Sequence, residues 1–208
     1  MRRRSTLTTY AALAIADAAL AAGGNKRTRR LTKPAVMPML AAAAVAGQEK
    51  PDETRNLVLA GLGMSWAGDV ALLGEGQGPF AAGLVSFLTA HFCYLAALAK
   101  KRRGGIRKWP ALAATYVVAW CVLNALLWPK TGKLRAPVVV YGSALAAMAL
   151  AALDTGDAKV AAGGALFMVS DSILALRTFE AADVPNGDVL VMLTYTAAQA
   201  LLADGVLA

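Results

Sequence analysis

Charge and cysteine are both scarce in this sequence. Only 16% of its 208 residues are charged while 58% are hydrophobic, and the mean hydropathy is +0.52. A water-facing surface cannot be built from such a composition, which excludes an ordinary soluble domain and indicates a membrane protein. The two cysteines, Cys93 and Cys121, fall in apolar stretches. They provide neither a disulfide framework nor a CxxC metal pattern.

Histidine is nearly absent, because His91 is the single one. A zinc site usually has a second nitrogen or sulfur ligand. His91 together with two aspartates of the apolar stretches, Asp69 and Asp171, does not supply one. We therefore expect no metal and no other cofactor. The net charge of +8 comes from basic residues divided among short segments between apolar stretches. Membrane lipids with anionic headgroups are thus the expected partners, and nucleic acid is not.

Long apolar stretches are what the chain has in abundance. Each is close to the roughly 20 residues that cross a bilayer. They predict an all-α polytopic membrane bundle of about eight transmembrane helices, in a single integral membrane domain over residues 1–208. The second stretch is the shortest and contains Pro34 and Pro38, which predicts a kink or an extension into the interface. The predicted spans are residues 7–23, 33–47, 56–74, 79–99, 109–128, 136–153, 158–177 and 187–207.

The first stretch has the basic start and small-residue end of a secretory signal. Asp17 interrupts its apolar region and further spans follow closely, so we expect an uncleaved first helix. Alternating spans put twelve of the 21 Lys and Arg residues on the side of the N-terminus and nine on the other. This slightly favours an N-inside, C-inside orientation, and a bacterial-type plasma membrane is the expected location.

Polar residues inside the spans are informative, because a carboxylate at mid-membrane depth costs roughly 3 kcal/mol or more. With alternating directions, their depths lie in one half of the bilayer or near its middle. Residues three or four apart share a helix face, as Ser65 and Asp69 do. This convergence predicts a polar cavity open toward one leaflet, formed by Lys33, Asp69, His91, Tyr94, Tyr141, Asp171, Tyr195 and Gln199.

An internal repeat links the two halves of the sequence. Spans three and four contain "GLGMSWAGDVALL" and then "HFCYLAAL", whereas spans seven and eight contain "GALFMVSDSILAL" and then "YTAAQALL". A parallel four-plus-four duplication would put Asp69 and Asp171 in equivalent positions that face a shared centre.

Structural roles for the same residues stay open. Either aspartate could pair with Lys33, Arg177 or a tyrosine to lock helices together, and tyrosine and glutamine often bond helix to helix. His91 could be an interhelical hydrogen-bonding residue. Asp17 has no partner at its depth, so we interpret it as structural.

Residues 61–98, "GLGMSWAGDVALLGEGQGPFAAGLVSFLTAHFCYLAAL", resemble the signature hairpin of the YhhN family of integral membrane proteins, which includes the lysoplasmalogenases. "GALFMVSDSILALRTF" at 164–179 and "VMLTYTAAQALL" at 191–202 are similar to its second hairpin, and "KPAVMPML" at 33–40 to its early Lys-Pro element. The family pattern falls on Lys33, Asp69, His91, Tyr94, Tyr141, Asp171, Tyr195 and Gln199, with Ser170 and Phe179 as supporting positions.

The resemblance implies an alkenyl ether hydrolase that uses water to cleave the vinyl ether of a lysoplasmalogen. Such a reaction calls for a general acid, a carboxylate that stabilises an oxocarbenium ion, and a base for water. We expect Asp69 and Asp171 to be the carboxyl pair and His91 to relay a proton or orient water. Lys33 would meet a headgroup phosphate. The remaining expected substrate-binding residues are Tyr94, Tyr141, Tyr195 and Gln199.

Two other classes of function stay open. A lipid or small-molecule transporter or binding protein without hydrolytic activity would also have repeats, kinked spans and midplane acids. A scaffold would use the polar residues only to hold helices together.

Overall fold

Helices make up nearly all of the structure. The computed structural model describes residues 2–24, 26–47 and 51–208. These residues contain no strand and the fold is 84% helix, which confirms the all-α prediction. The long helices are α1 (Arg2–Ala22), α2 (Lys26–Ala46), α3 (Glu53–Ala71), α4 (Gln77–Ala99), α6 (Pro110–Leu127), α7 (Arg135–Asp154), α8 (Ala158–Thr178) and α9 (Gly187–Leu207), and the short helix α5 (Gly105–Lys108) lies before α6.

Six of the described helices, α1, α4, α6, α7, α8 and α9, are long and apolar enough to cross a membrane. The other two long helices carry charge at their first turns, where α2 begins with a basic run and α3 with Glu53 and Arg55. The total of about eight spans therefore stays a prediction. Lys50, one of the loop charges counted for orientation, lies outside the described residues.

The second helix differs most from its predicted span. It begins at Lys26 rather than near residue 33, so this helix of 21 residues is longer than the apolar stretch that predicted it. Lysine and arginine are good helix formers, and the helix continues where the apolar pattern stops. The other seven helices end within five residues of the predicted bounds.

Two prolines lie inside α2. Pro38 has no N–H to donate to the carbonyl of Pro34, one helical turn earlier. Trp66 of α3 donates its indole N–H to that carbonyl oxygen at 2.9 Å. A neighbouring helix thus replaces the hydrogen bond that the proline removes.

The helices fall into two compact units, Met1–Lys100 with Val206–Ala208, and Lys101–Gly205. The single membrane domain stays a prediction. In the first unit, Asp17 of α1 is completely buried and accepts hydrogen bonds from Arg29 at 3.2 Å and Thr32 at 2.6 Å. Both partners lie on α2, so Asp17 joins the two helices, in agreement with a structural role.

Glycines bring the helices of each unit close together. In the first unit, a Cβ on Gly61 of α3 would lie 2.5 Å from the Tyr94 ring, and one on Gly68 would lie 2.6 Å from the Phe87 ring. In the second unit, Gly163 of α8 makes room for Leu202 of α9 in the same way. Small residues at such positions allow close packing in membranes, where apolar contact alone provides little driving force.

Candidate active site

Asp69 of α3 lies within the first unit with only 3% of its surface exposed. Its Oδ1 lies 3.2 Å from Nζ of Lys33, whose side chain is 12% exposed. Two of the predicted site residues are therefore in direct contact. The lysine comes from the helix immediately before that of the aspartate, so this ion pair also joins α2 to α3.

The packing of α3 on α4 adds further predicted residues to this unit. His91 is completely buried and Tyr94, one turn later on α4, is 2% exposed. The Tyr94 ring lies against Gly61, two turns before Asp69. Ser86 donates a hydrogen bond to the carbonyl oxygen of Met64 at 2.7 Å, which ties the two helices together. His91 and Tyr94 are thus held on the helix that packs against the one carrying Asp69.

A residue absent from the predicted set is Tyr10 of α1. It is 5% exposed, and it lies close enough to Asp69 and Tyr94 for electrostatic interaction with both. The family resemblance does not cover the first span, so it could not indicate this residue. The available signal was that Tyr10 is the single tyrosine of the first predicted span.

Asp171 of α8 is the corresponding acid in the second unit. It is half-buried and accepts a hydrogen bond at Oδ2 from the Tyr141 hydroxyl of α7. Again the polar partner comes from the helix immediately before that of the aspartate. Arg177, the other candidate partner, instead makes a bidentate ion pair with Asp188, with N–O distances of 2.6 and 3.1 Å.

The last helix contributes Tyr195 and Gln199 to the second unit. Tyr195 is 4% exposed and packs edge-to-face on Phe167 of α8 with ring centroids 5.6 Å apart. Gln199, one turn later, is completely buried. Ser170 donates to the carbonyl oxygen of Val191 at 3.1 Å and so fixes α9 beside the helix of Asp171. The other supporting position, Phe179, ends α8.

The predicted site residues thus divide between the two units, and the set in each unit is here called a cluster. The first cluster contains Lys33, Asp69, His91 and Tyr94, with direct contact between Lys33 and Asp69; the second contains Tyr141, Asp171, Tyr195 and Gln199, with direct contact between Tyr141 and Asp171. Over residues 2–24, 26–47 and 51–208, no group of three or more His, Cys, Asp or Glu residues could hold a metal ion. Each cluster combines a carboxyl group with a proton-donating or cationic side chain, an arrangement suited to acid–base chemistry.

A sequence model of the YhhN family matches residues 28–206. This chain belongs to the YhhN family. The match begins within α2 and covers every predicted site residue of this YhhN protein. It leaves out the whole of α1, and with it Tyr10.

Curated relatives of the YhhN protein come from bacteria and animals. Proteins named lysoplasmalogenase from Mycobacterium bovis and Mycobacterium tuberculosis are each 35% identical over 198 residues, which cover 88% of this chain and 71% of theirs. Lysoplasmalogenase TMEM86A from Homo sapiens is 33% identical over 159 residues, 74% of this chain and 65% of that protein. No solved structure matches the chain significantly.

Proposed function

We propose that this protein is a multi-pass membrane lysoplasmalogenase, which hydrolyses the vinyl ether bond of lysoplasmalogens. The observation that carries the proposal is its 35% identity, over 88% of its length, to proteins of that name. The six apolar helices are in keeping with a substrate that resides in membranes. The substrates of the proposed reaction are a lysophospholipid with an alkenyl chain and water.

The reaction requires a proton to be placed on carbon. An acid protonates the vinyl carbon distant from the ether oxygen and leaves an oxocarbenium ion. Water adds to this cation and loses a proton to a base, which gives a hemiacetal. The hemiacetal then releases a fatty aldehyde and glycerophosphoethanolamine or glycerophosphocholine. Two carboxyl groups divide this work as the pair in a glycosidase does.

The partners of the two aspartates suggest how the roles are divided. The Lys33 ammonium stabilises negative charge on Asp69, so Asp69 serves as the carboxylate that stabilises the cation and accepts the proton from water. Asp171 has a neutral hydroxyl, that of Tyr141, as its partner instead of an ammonium; its anion is the less stabilised of the two, so we assign to Asp171 the proton that is delivered to carbon. His91 orients the water, while Tyr94, Tyr195 and Gln199 position the substrate.

The wider architecture belongs to the same proposal. We infer that α2 and α3 also cross the bilayer, which gives eight spans in a bacterial-type plasma membrane with both termini inside. The four-plus-four repeat is supported by the unit boundary at Lys100 and Lys101, which separates α1–α4 from α5–α8 and all but the end of α9. A second feature also supports the repeat, because in both units the partner of the aspartate lies on the helix that precedes the helix of the aspartate.

The direct test is release of aldehyde from a lysoplasmalogen by the purified full-length chain in detergent. The matched substrate is the saturated alkyl ether lysophospholipid, which has the same headgroup and cannot form the oxocarbenium ion by protonation. We expect aldehyde from the first and none from the second. Absence of aldehyde across alkenyl lipids of several headgroups would refute the hydrolase and favour a lipid carrier.

The aspartates are tested by Asp69→Asn and Asp171→Asn, each of which should lower kcat by about a hundredfold or more. The control is Asp17→Asn, which also alters a completely buried, ion-paired aspartate and should retain activity per folded molecule. If all three variants lose activity equally, the acid-pair mechanism is wrong.

A further inference from the structure

The second unit contains an open cavity of about 240 Å³ beside α5. It lies between the segment that leads into and forms α5 and the turn that joins the end of α7 to the start of α8, and its lining includes Arg103, Lys108, Thr155 and Asp157. A single water occupies about 30 Å³ in the liquid. The cavity therefore has room for a small hydrated group, and no predicted active-site residue lines it.

The wall of this cavity is fixed by contacts with the end of α7. Asp154 accepts hydrogen bonds from Arg102 at 2.7 Å and from the backbone N–H of Ile106 at 3.3 Å. The backbone N–H of Arg103 donates to the Asp154 carbonyl oxygen at 2.8 Å. Gly105 lies so close to the Leu153 carbonyl that a Cβ there would collide with it. Hydrogen bonds and close packing against α7 thus hold the basic segment before α6 in a defined conformation.

The charge of the cavity is unbalanced. Across the residues that the structure describes, neither Arg103 nor Lys108 forms an ion pair, and Lys108 only lies over the Trp109 ring at 4.7 Å. Asp157, the acidic residue of the lining, caps α8 by accepting hydrogen bonds from Lys159 N at 2.8 Å and Val160 N at 3.0 Å. Two cationic side chains therefore remain for an anion.

We propose that this cavity binds a phosphate group, carried either by a phospholipid headgroup or by free phosphate. Trp109, the residue immediately before α6, marks the depth of the membrane–water interface, where tryptophan is enriched and lipid phosphates are concentrated. Arginine can donate two parallel hydrogen bonds to a phosphate, and lysine supplies a compact positive charge. Phosphate sites in proteins use both. The location is separate from the proposed hydrolysis, because Asp171 lies 14 residues beyond Asp157, about 21 Å along α8.

The test is native mass spectrometry of the full-length protein in detergent, titrated with dioleoyl phosphatidic acid and, separately, with dioleoylglycerol, which lacks the phosphate. The variant Arg103→Gln/Lys108→Gln removes the two cavity cations. The matched control Lys101→Gln/Arg107→Gln removes one lysine and one arginine from the same segment, but neither residue lines the cavity. Net charge is then equal in the two variants.

Phosphatidic acid should bind to the wild type and to the control variant with equal affinity. Its affinity for the cavity variant should be at least about tenfold lower, a factor that corresponds to 1.4 kcal/mol. Inorganic phosphate, added as competitor, separates the two sources. Displacement of the lipid by phosphate at similar concentration assigns the site to free phosphate, whereas displacement only at large excess assigns it to a headgroup. Equal weakening in both double variants, or equal binding of dioleoylglycerol, would overturn the proposal.

Discussion

The ion pair between Lys33 and Asp69 should stabilise the fold far more than its exposed counterpart in the second unit. For charges 3.2 Å apart, Coulomb's law with an effective dielectric constant of 20 gives about 5 kcal/mol of attraction. Desolvation of both groups opposes this attraction. Because Asp69 takes part in further polar interactions and Lys33 keeps 12% exposure, we expect a net coupling energy of about 2 to 3 kcal/mol.

A double-mutant cycle measures that coupling. Lys33→Met, Asp69→Asn and the double variant are unfolded in mixed micelles of SDS and a mild detergent, and helix content is followed by circular dichroism. Each single change should lower the free energy of unfolding by about 3 kcal/mol, because it leaves one charged group without its counterion in an apolar setting. The double variant should lose little more than either single variant.

The control cycle uses Lys159 and Asp204, which lie closer together at 2.6 Å but have side chains 45% and 29% exposed. Solvent screening should reduce their coupling to less than about 1 kcal/mol. The reasoning depends on burial rather than distance. A coupling at Lys33 and Asp69 no larger than that of the control pair would refute it.

Two further predictions concern the packing of α3. Gly61→Ala should lower stability by about 1 to 3 kcal/mol because its Cβ would push into the aromatic ring packed there, whereas Gly63→Ala on the same helix meets open space and should be neutral or better in a thermal melt. Trp66→Phe should cost about 1 kcal/mol through loss of the bond to the Pro34 carbonyl. Pro38→Ala restores a backbone N–H that can donate to the Pro34 carbonyl oxygen. Trp66→Phe should therefore lower stability less in the Pro38→Ala background than in the wild type. Equal losses in the two backgrounds would contradict a replacement role for the Trp66 hydrogen bond.

The fold was largely predictable because its signal is local. Long apolar runs fix helix after helix independently of what packs against them, and the bounds of α8 and α9 agree with the sequence to within a residue. The start of α2 was missed because hydropathy reports burial in lipid, while helix formation also follows from the propensities of a polar segment. The sequence therefore locates the apolar part of a helix better than its ends.

The sequence could indicate which polar residues are candidates for the site, but it could not indicate which of them contact each other. The sequence suggested Lys33, Arg177 or a tyrosine for either aspartate, and the choice depends on helix rotation, which a single sequence does not specify. In the structure Asp69 contacts Lys33 and Asp171 contacts Tyr141. Likewise, Pro38 indicated that a carbonyl would need a new donor, but only the packing of α3 on α2 identifies Trp66.

The contact between Lys33 and Asp69 also bears on how the chain enters the membrane. It joins α2 and α3, the two long helices of the described chain that do not qualify as spans by hydropathy. In the proposed arrangement of eight spans, either helix alone would bring an uncompensated charge into hydrocarbon, whereas the hairpin that they form together holds the two opposite charges in contact. We infer that these helices insert as one unit, and that Lys33 and Asp69 are in contact before synthesis reaches Asp171.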